Sequence, residues 1–272
     1  MTTRAYRGYD VPGYIGALRR EGELLAAAAD RAGMGAGVPS CPDWAVRDLL
    51  KHTGYVHRWA AEFITRGLTR PEGGTSEAAI LSQGPGDDRL PGWFREGHAA
   101  LVQALGTAAP ELNCWAFLGA PSPLAFWARR QAHETAIHRA DADQAAAPAG
   151  AATAAGGAPG PAFEPAFAAD GVDELIMGFL ARNINRGGWP GLDGSLAIHA
   201  ADGPAGAADW LVAGGPGGRA VSRGSGPADC DVTGPAADLY LALWNRRPPD
   251  GLRVDGDPGI LTAFASALQI TW

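Results

Sequence analysis

Glu134 and His138 lie four residues apart in the run FWARRQAHETAIHRADAD. On a helix that spacing leaves them roughly 40° apart about the axis, one turn above the other. Trp127, Gln131 and Asp141 fall on the same face by the same count. A carboxylate and an imidazole facing inward from one helix make half a metal site, and zinc accepts both kinds of ligand. The pair His133-Glu134 resembles the start of HExxH, but the second histidine comes one residue late, at His138. A five-residue step turns the helix by roughly 140°, so His133 and His138 do not share a metal, and a zincin protease is rejected. The third ligand has to come from another helix, and His52, His57 and His98 are the candidates. His52 borders an apolar stripe near Val56 and Trp59, and His57 lies within it by angle; spacing leaves the choice open. Glu134 and His138 also fit a hydrogen-bonded core pair, or a surface i, i+4 pair contributing a few tenths of a kcal/mol.

The elements that would carry these residues are legible. Residues Gly13–Ala32, Val46–Ile64, Trp93–Leu105 and Ala125–Ala142 have apolar positions at helical spacing, and together they predict an antiparallel four-helix bundle. Pro42 and Asp43 suit the start of the second helix, and residues Arg66–Pro91 read as a loop. Residues Gln144–Pro161 are nearly all Ala, Gly and Pro, too little apolar surface to order a segment, and read as a linker. Ala166–Arg182 is helical again. The period then shortens: Ser195–Ala200, Asp209–Ala213, Ala228–Thr233 and Leu252–Val254 are strand candidates, with helices at Pro235–Arg246 and Ile260–Leu268. The expected organisation is α+β: a helical metal-binding domain over 1–147, a linker over 148–165 and a small α+β domain over 166–272.

Composition removes several functions. The 272 residues carry a formal charge of −7, and Lys51 is the only lysine. The arginines are scattered, so the basic face that a phosphate backbone requires is missing, and no nucleic-acid partner is expected. No apolar run of eighteen residues occurs and no apolar segment follows Arg4 and Arg7, so neither a membrane span nor a cleaved leader is expected, and the chain is placed in the cytoplasm. Cys41, Cys114 and Cys230 form neither a disulfide framework nor a CxxC pair; they read as packing residues. The Gly214–Gly218 run contains Pro216 and lies between short strands, which is not the setting of a phosphate loop.

Four blocks in order, VPSCPDWAVRDLLKHTGYVHRWA, AHETAIHRADAD, FAADGVDELI and DLYLALWNRRPPDGLRVDGD, resemble the mycothiol-dependent maleylpyruvate isomerase family over nearly the whole chain. The resemblance implies a DinB-like four-helix domain joined to a domain akin to sterol-carrier proteins. It implies that His52 joins Glu134 and His138 around one divalent metal, zinc being expected, with a position left open for water or a thiol. His57, His98, His133 and His199 fall outside that pattern and are expected at the surface or in packing. Ala45 stands where relatives often carry Ser or Thr, so Asp43 is expected to cap the helix bearing His52.

The chemistry implied is thiol activation. A thiolate is the nucleophile, and a divalent metal acidifies a group that it binds. The expected partners are mycothiol and a small electrophile, with addition, bond rotation and elimination giving isomerisation. A mycothiol S-transferase and a non-catalytic metal- or ligand-binding module are the alternatives. Arginine suits the anionic groups of such partners. Arg246 and Arg130 are the candidates for catalysis; Arg246, Arg247 and Arg253 are the candidates for holding the thiol, against helix-end cations as the competing reading of Arg246 and Arg247.

Overall fold

The computed structural model describes residues 9–71, 82, 84–147, 162–187, 193–204, 208–214 and 219–270. They fall into two compact units, one built on Tyr9–Pro161 and one on Ala162–Trp272. The architecture is mixed α and β, as expected, and among the described residues no helix is long and apolar enough to cross a membrane. Of the expected linker, residues 148–161 lie outside the described residues.

Among the described residues the first unit holds four long helices: α1 (Val11–Ala32), α2 (Val46–Arg66), α3 (Leu90–Thr107) and α4 (Pro123–Ala146). The main packing partners of α4 are α1 and α2, and α3 closes against α1 and α2. Asp10 caps α1 through the Gly13 N–H at 2.8 Å, and Ser122 caps α4 through the Ala125 N–H at 3.1 Å. In both helices a proline follows in the first turn, where its missing donor is harmless.

The start of α2 departs from the expectation. Asp43 is not its cap. Cys41–Ala45 forms a strand, β2, that pairs antiparallel with β1 (Gly37–Val38). That short ribbon supplies what a cap would: the Val46 and Arg47 N–H groups donate to the carbonyls of Ala36 and Met34 at 2.9 and 3.0 Å. The Asp48 carboxylate accepts from the Ala45 N–H at 3.0 Å. With these three donors satisfied, the start of α2 is held without a capping side chain at Ala45.

Along α2 and α4 the interior changes character. At one end Val46, Leu49 and Leu50 pack with Leu25, Phe94 and Ala142 in an aliphatic cluster. At the other end Trp59, Phe63, Trp115 and Trp127 pack ring against ring. His52, Glu134 and His138 lie between the two in the order of both helices. Gly54 lets α3 come close, because a side chain there would run into the Trp93 ring.

In the second unit one helical run comprises α5 (Pro165–Asp173), a π-helical turn (Glu174–Leu180) and α6 (Ala181–Asn185). A five-stranded sheet follows, from β3 (Gly194–Ala200), β4 (Asp209–Gly214), β5 (Ala220–Arg223), β6 (Cys230–Gly234) and β7 (Arg253–Gly256). Its order is β5-β4-β3-β6-β7, with only β3 and β6 parallel. Leu196, Ile198, Trp210, Val212, Cys230 and Val232 alternate onto one fully buried face. The helices α7 (Ala236–Leu243) and α8 (Pro258–Ala267) complete the unit. Asp173, fully buried, accepts from the Trp210 indole and from both arms of Arg223, tying the helical run to β4 and β5.

Candidate metal centre

The structure brings His52, Glu134 and His138 together. The Nε2 atoms of His52 and His138 each stand 3.3 Å from Glu134 Oε1. One ligand atom from each of the three residues lies within 4.8 Å of the other two. The side chains come from α2 and α4, and the residues are 1%, 4% and 6% exposed. Bonds of about 2.0–2.1 Å in a tetrahedron put neighbouring ligand atoms roughly 3.3 Å apart. The donor set, two imidazole nitrogens and one carboxylate oxygen, and its spacing therefore fit a divalent cation such as zinc.

Residues around the trio hold it in a ligating state. Asp141, fully buried, meets His138 Nδ1 at 2.9 Å, and Ser40 Oγ donates to the other Asp141 oxygen at 2.5 Å. A carboxylate accepting the Nδ1 proton leaves the Nε2 lone pair facing the site. Arg130, buried on α4, donates to Glu134 Oε2 at 3.1 Å, so Oε1 is the oxygen turned toward the two imidazoles. Burial works against the Glu134 charge, but hydrogen bonds from His138 and His52 and the charges of His138 and Arg130 hold it well below the usual carboxylate range. Burial also opposes a charged His138, yet Asp141 and Glu134 raise it to about 9.

The half-buried Trp44 of β2 packs on both histidines, with ring centroids 5.0 Å from His52 and 6.3 Å, stacked, from His138. The ribbon touches the cluster twice, through this ring and through Ser40.

The other histidines lie elsewhere, and His57 and His133 are wholly inside rather than at the surface. His57 Nε2 is 2.9 Å from Thr135 Oγ1, whose hydroxyl donates to the Gln131 carbonyl at 2.7 Å. The hydroxyl hydrogen being used, His57 donates from Nε2. Burial, together with His98, keeps His57 neutral, its pKa well below 6.5. His98 meets the Leu18 carbonyl at 3.0 Å, and His133 packs edge-on to Tyr14. His199, on β3, is held between Asp209 and Asp231 at 2.7 and 3.1 Å.

The remaining predicted arginines belong to the second unit. Arg246 donates to the Trp244 carbonyl at 2.8 Å, Arg247 pairs with Asp238, and the exposed Arg253 pairs with Asp255 at 3.1 Å. Cys114 and Cys230 are buried, which pushes their thiols up and away from nucleophilic use. The roles of Asp141 and Ser40 were missed in the sequence. An aspartate three residues after His138 is a readable signal for an imidazole partner. Ser40 gave none, because its position depends on the ribbon.

Fold and site together define a two-unit α+β protein with a buried His–Glu–His cluster in its helical unit. The family model described as the mycothiol maleylpyruvate isomerase N-terminal domain matches residues 15–143, and that of the MDMPI C-terminal domain matches residues 166–263. The chain belongs to the mycothiol-dependent maleylpyruvate isomerase family. Among solved structures it is similar to the mycothiol-dependent maleylpyruvate isomerase and to a point mutant of that enzyme. Each match has a TM-score of 0.59 and 15% identity, and covers 94% of this chain and 96% of the other. At that identity the likeness speaks to the fold. No curated protein matches the sequence.

Proposed function

We propose that this chain is a mycothiol-dependent metalloenzyme of the cytoplasm in which His52, Glu134 and His138 hold one divalent metal, zinc, and a small electrophile is the substrate. The observation that carries the reading is the convergence of three buried donor atoms from two helices within 4.8 Å of one another, both imidazoles 3.3 Å from Glu134. The family's name and the solved isomerase of the same fold supply the thiol and the reaction type. In this reading α1–α4 form an antiparallel four-helix bundle of DinB-like type, and α4 delivers two ligands one turn apart.

A divalent metal held by His52, Glu134 and His138 would supply a positive charge that lowers the pKa of a bound thiol. The chain does the rest. Asp141 and Ser40 fix the His138 tautomer, and Arg130 holds Glu134 by one oxygen. The ribbon carrying Trp44 limits water at the cluster, which strengthens every charge interaction within it. The activated sulfur adds to an electron-poor double bond, the substrate turns about the resulting single bond, and elimination returns the thiol. Arg246, Arg247 and Arg253 are the residues this reading assigns to the anionic groups of thiol or substrate.

Zinc content and product analysis test the proposal. Wild type is expected to bind about one zinc per chain, and His52→Ala and Glu134→Ala to lose it. Incubation of zinc-loaded protein with mycothiol and maleylpyruvate is expected to give the trans isomer. A stable adduct instead would make the chain an S-transferase. Zinc binding without thiol-dependent turnover would make it a binding module, and full zinc occupancy in both variants would reject the ligands.

A further inference from the structure

Gln131 is fully buried, and neither its Nε2 nor its Oε1 has a hydrogen-bond partner among the described residues. A buried amide left in this state destabilises the fold, and a leucine or methionine of the same reach would not. Beside it on α4, Trp127, Ala128 and Ala132 are all fully buried and offer it no polar atom but the backbone and the Trp127 indole, which donates to the Trp115 carbonyl.

Its position on α4 says where the amide faces. Around the helix axis Gln131 falls between Glu134 and Thr135. Both of those side chains reach α2, Glu134 at His52 (3.3 Å) and Thr135 at His57 (2.9 Å). Gln131 is therefore directed into the wedge between α2 and α4. It stands about 4.5 Å along the axis from Glu134, on the side of Trp127. The Thr135 hydroxyl, which grips the Gln131 carbonyl and is itself held by His57, fixes that turn of backbone.

Resting on the function proposed above, we propose that Gln131 is a further catalytic residue: its amide N–H donates to the carbonyl oxygen of the electrophilic substrate while the reacting double bond lies at the metal centre. The carbonyl is that of the small electrophile already assigned to the function proposed above. When the thiolate sulfur forms its bond to the β-carbon, the π pair moves through the α-carbon onto the carbonyl oxygen. Elimination sends the pair back and breaks the same S–C bond, so no oxidant and no net proton is needed. A fixed donor at that oxygen meets charge as it builds, inside an interior that excludes competing water. The amide oxygen serves a hydroxyl or a water on the same ligand.

The test uses the full chain loaded with zinc, as wild type, Gln131→Leu and Gln131→Met. Three quantities are read: zinc affinity by chelator competition, maleylpyruvate binding by calorimetry without thiol, and the melting temperature. Both variants are expected to hold zinc within twofold of wild type and to melt at the same temperature or higher. They are expected to bind maleylpyruvate about tenfold more weakly, the loss of one buried hydrogen bond. Unchanged substrate binding overturns the inference, and so does a lower melting temperature with binding intact, since the amide then serves the fold. A wild type that holds no zinc sinks the parent reading instead.

Discussion

Replacing Asp141 by asparagine changes one oxygen to an NH2 at nearly constant shape, and the geometry around it decides the outcome. Ser40 donates to one Asp141 oxygen at 2.5 Å, which favours keeping that atom an acceptor. The asparagine then presents its NH2 to His138 Nδ1, 2.9 Å away, and can only donate to it. His138 is forced to carry its proton on Nε2, the nitrogen 3.3 Å from Glu134 that a metal would need. Loss of such an imidazole partner lowers metal affinity about 10–100-fold, which is about 1.4–2.8 kcal/mol. Zinc competition against a chromophoric chelator at fixed pH measures it. The double variant Ser40→Ala/Asp141→Asn is expected to bind zinc more tightly than Asp141→Asn alone, because the amide is then free to turn its oxygen to Nδ1. An Asp141→Asn protein that is folded and binds zinc within twofold of wild type refutes the reasoning.

Three further outcomes follow from the packing. Gly54→Ala gains helix propensity but drives a methyl group into Trp93, so the first unit is expected to lose about 1–2 kcal/mol in denaturant unfolding; a gain would refute the close approach. Asp173→Asn leaves Arg223 and the Trp210 indole without their carboxylate, and because Arg223 is one-third exposed the expected loss is near the low end for a broken buried pair, about 3 kcal/mol by thermal melting. His199 keeps its proton above pH 6.5: burial opposes the charge, but Asp209 and Asp231 outweigh it. Its contribution to stability is full below 6.5 and is lost as pH rises through its folded pKa, so His199→Gln is expected to flatten that decline in pH-dependent melts, with imidazole NMR shifts reporting the titration.

The sequence read the helices of the first unit well, because each has an inward apolar stripe and a Gly or Pro at an end. It also read the relation of Glu134 to His138, since four residues on a helix is nearly a geometric statement. His52 was different. It was one of three candidates by spacing and was chosen through the family's wording, because the register of α2 against α4 is set by packing that no local pattern records. The ribbon Gly37–Ala45 was missed for a related reason: Pro42 and Asp43 are poor strand residues, and the pairing forms where the chain folds back so that the Met34 and Ala36 carbonyls just before it meet the start of α2. The π-helical turn at Glu174–Leu180 was equally silent, since an altered hydrogen-bond ladder leaves the apolar composition untouched. The strand Ala220–Arg223, four residues between glycine-rich stretches, gave too short an alternation to register.

The small exposure of the three donor side chains has a kinetic side. Under the function proposed above, an ion seated on them is expected to meet a chelator more slowly than one on exposed ligands, since Trp44 packs on both imidazoles. Stripping is then expected to level off as chelator is raised, with refilling slowed to match.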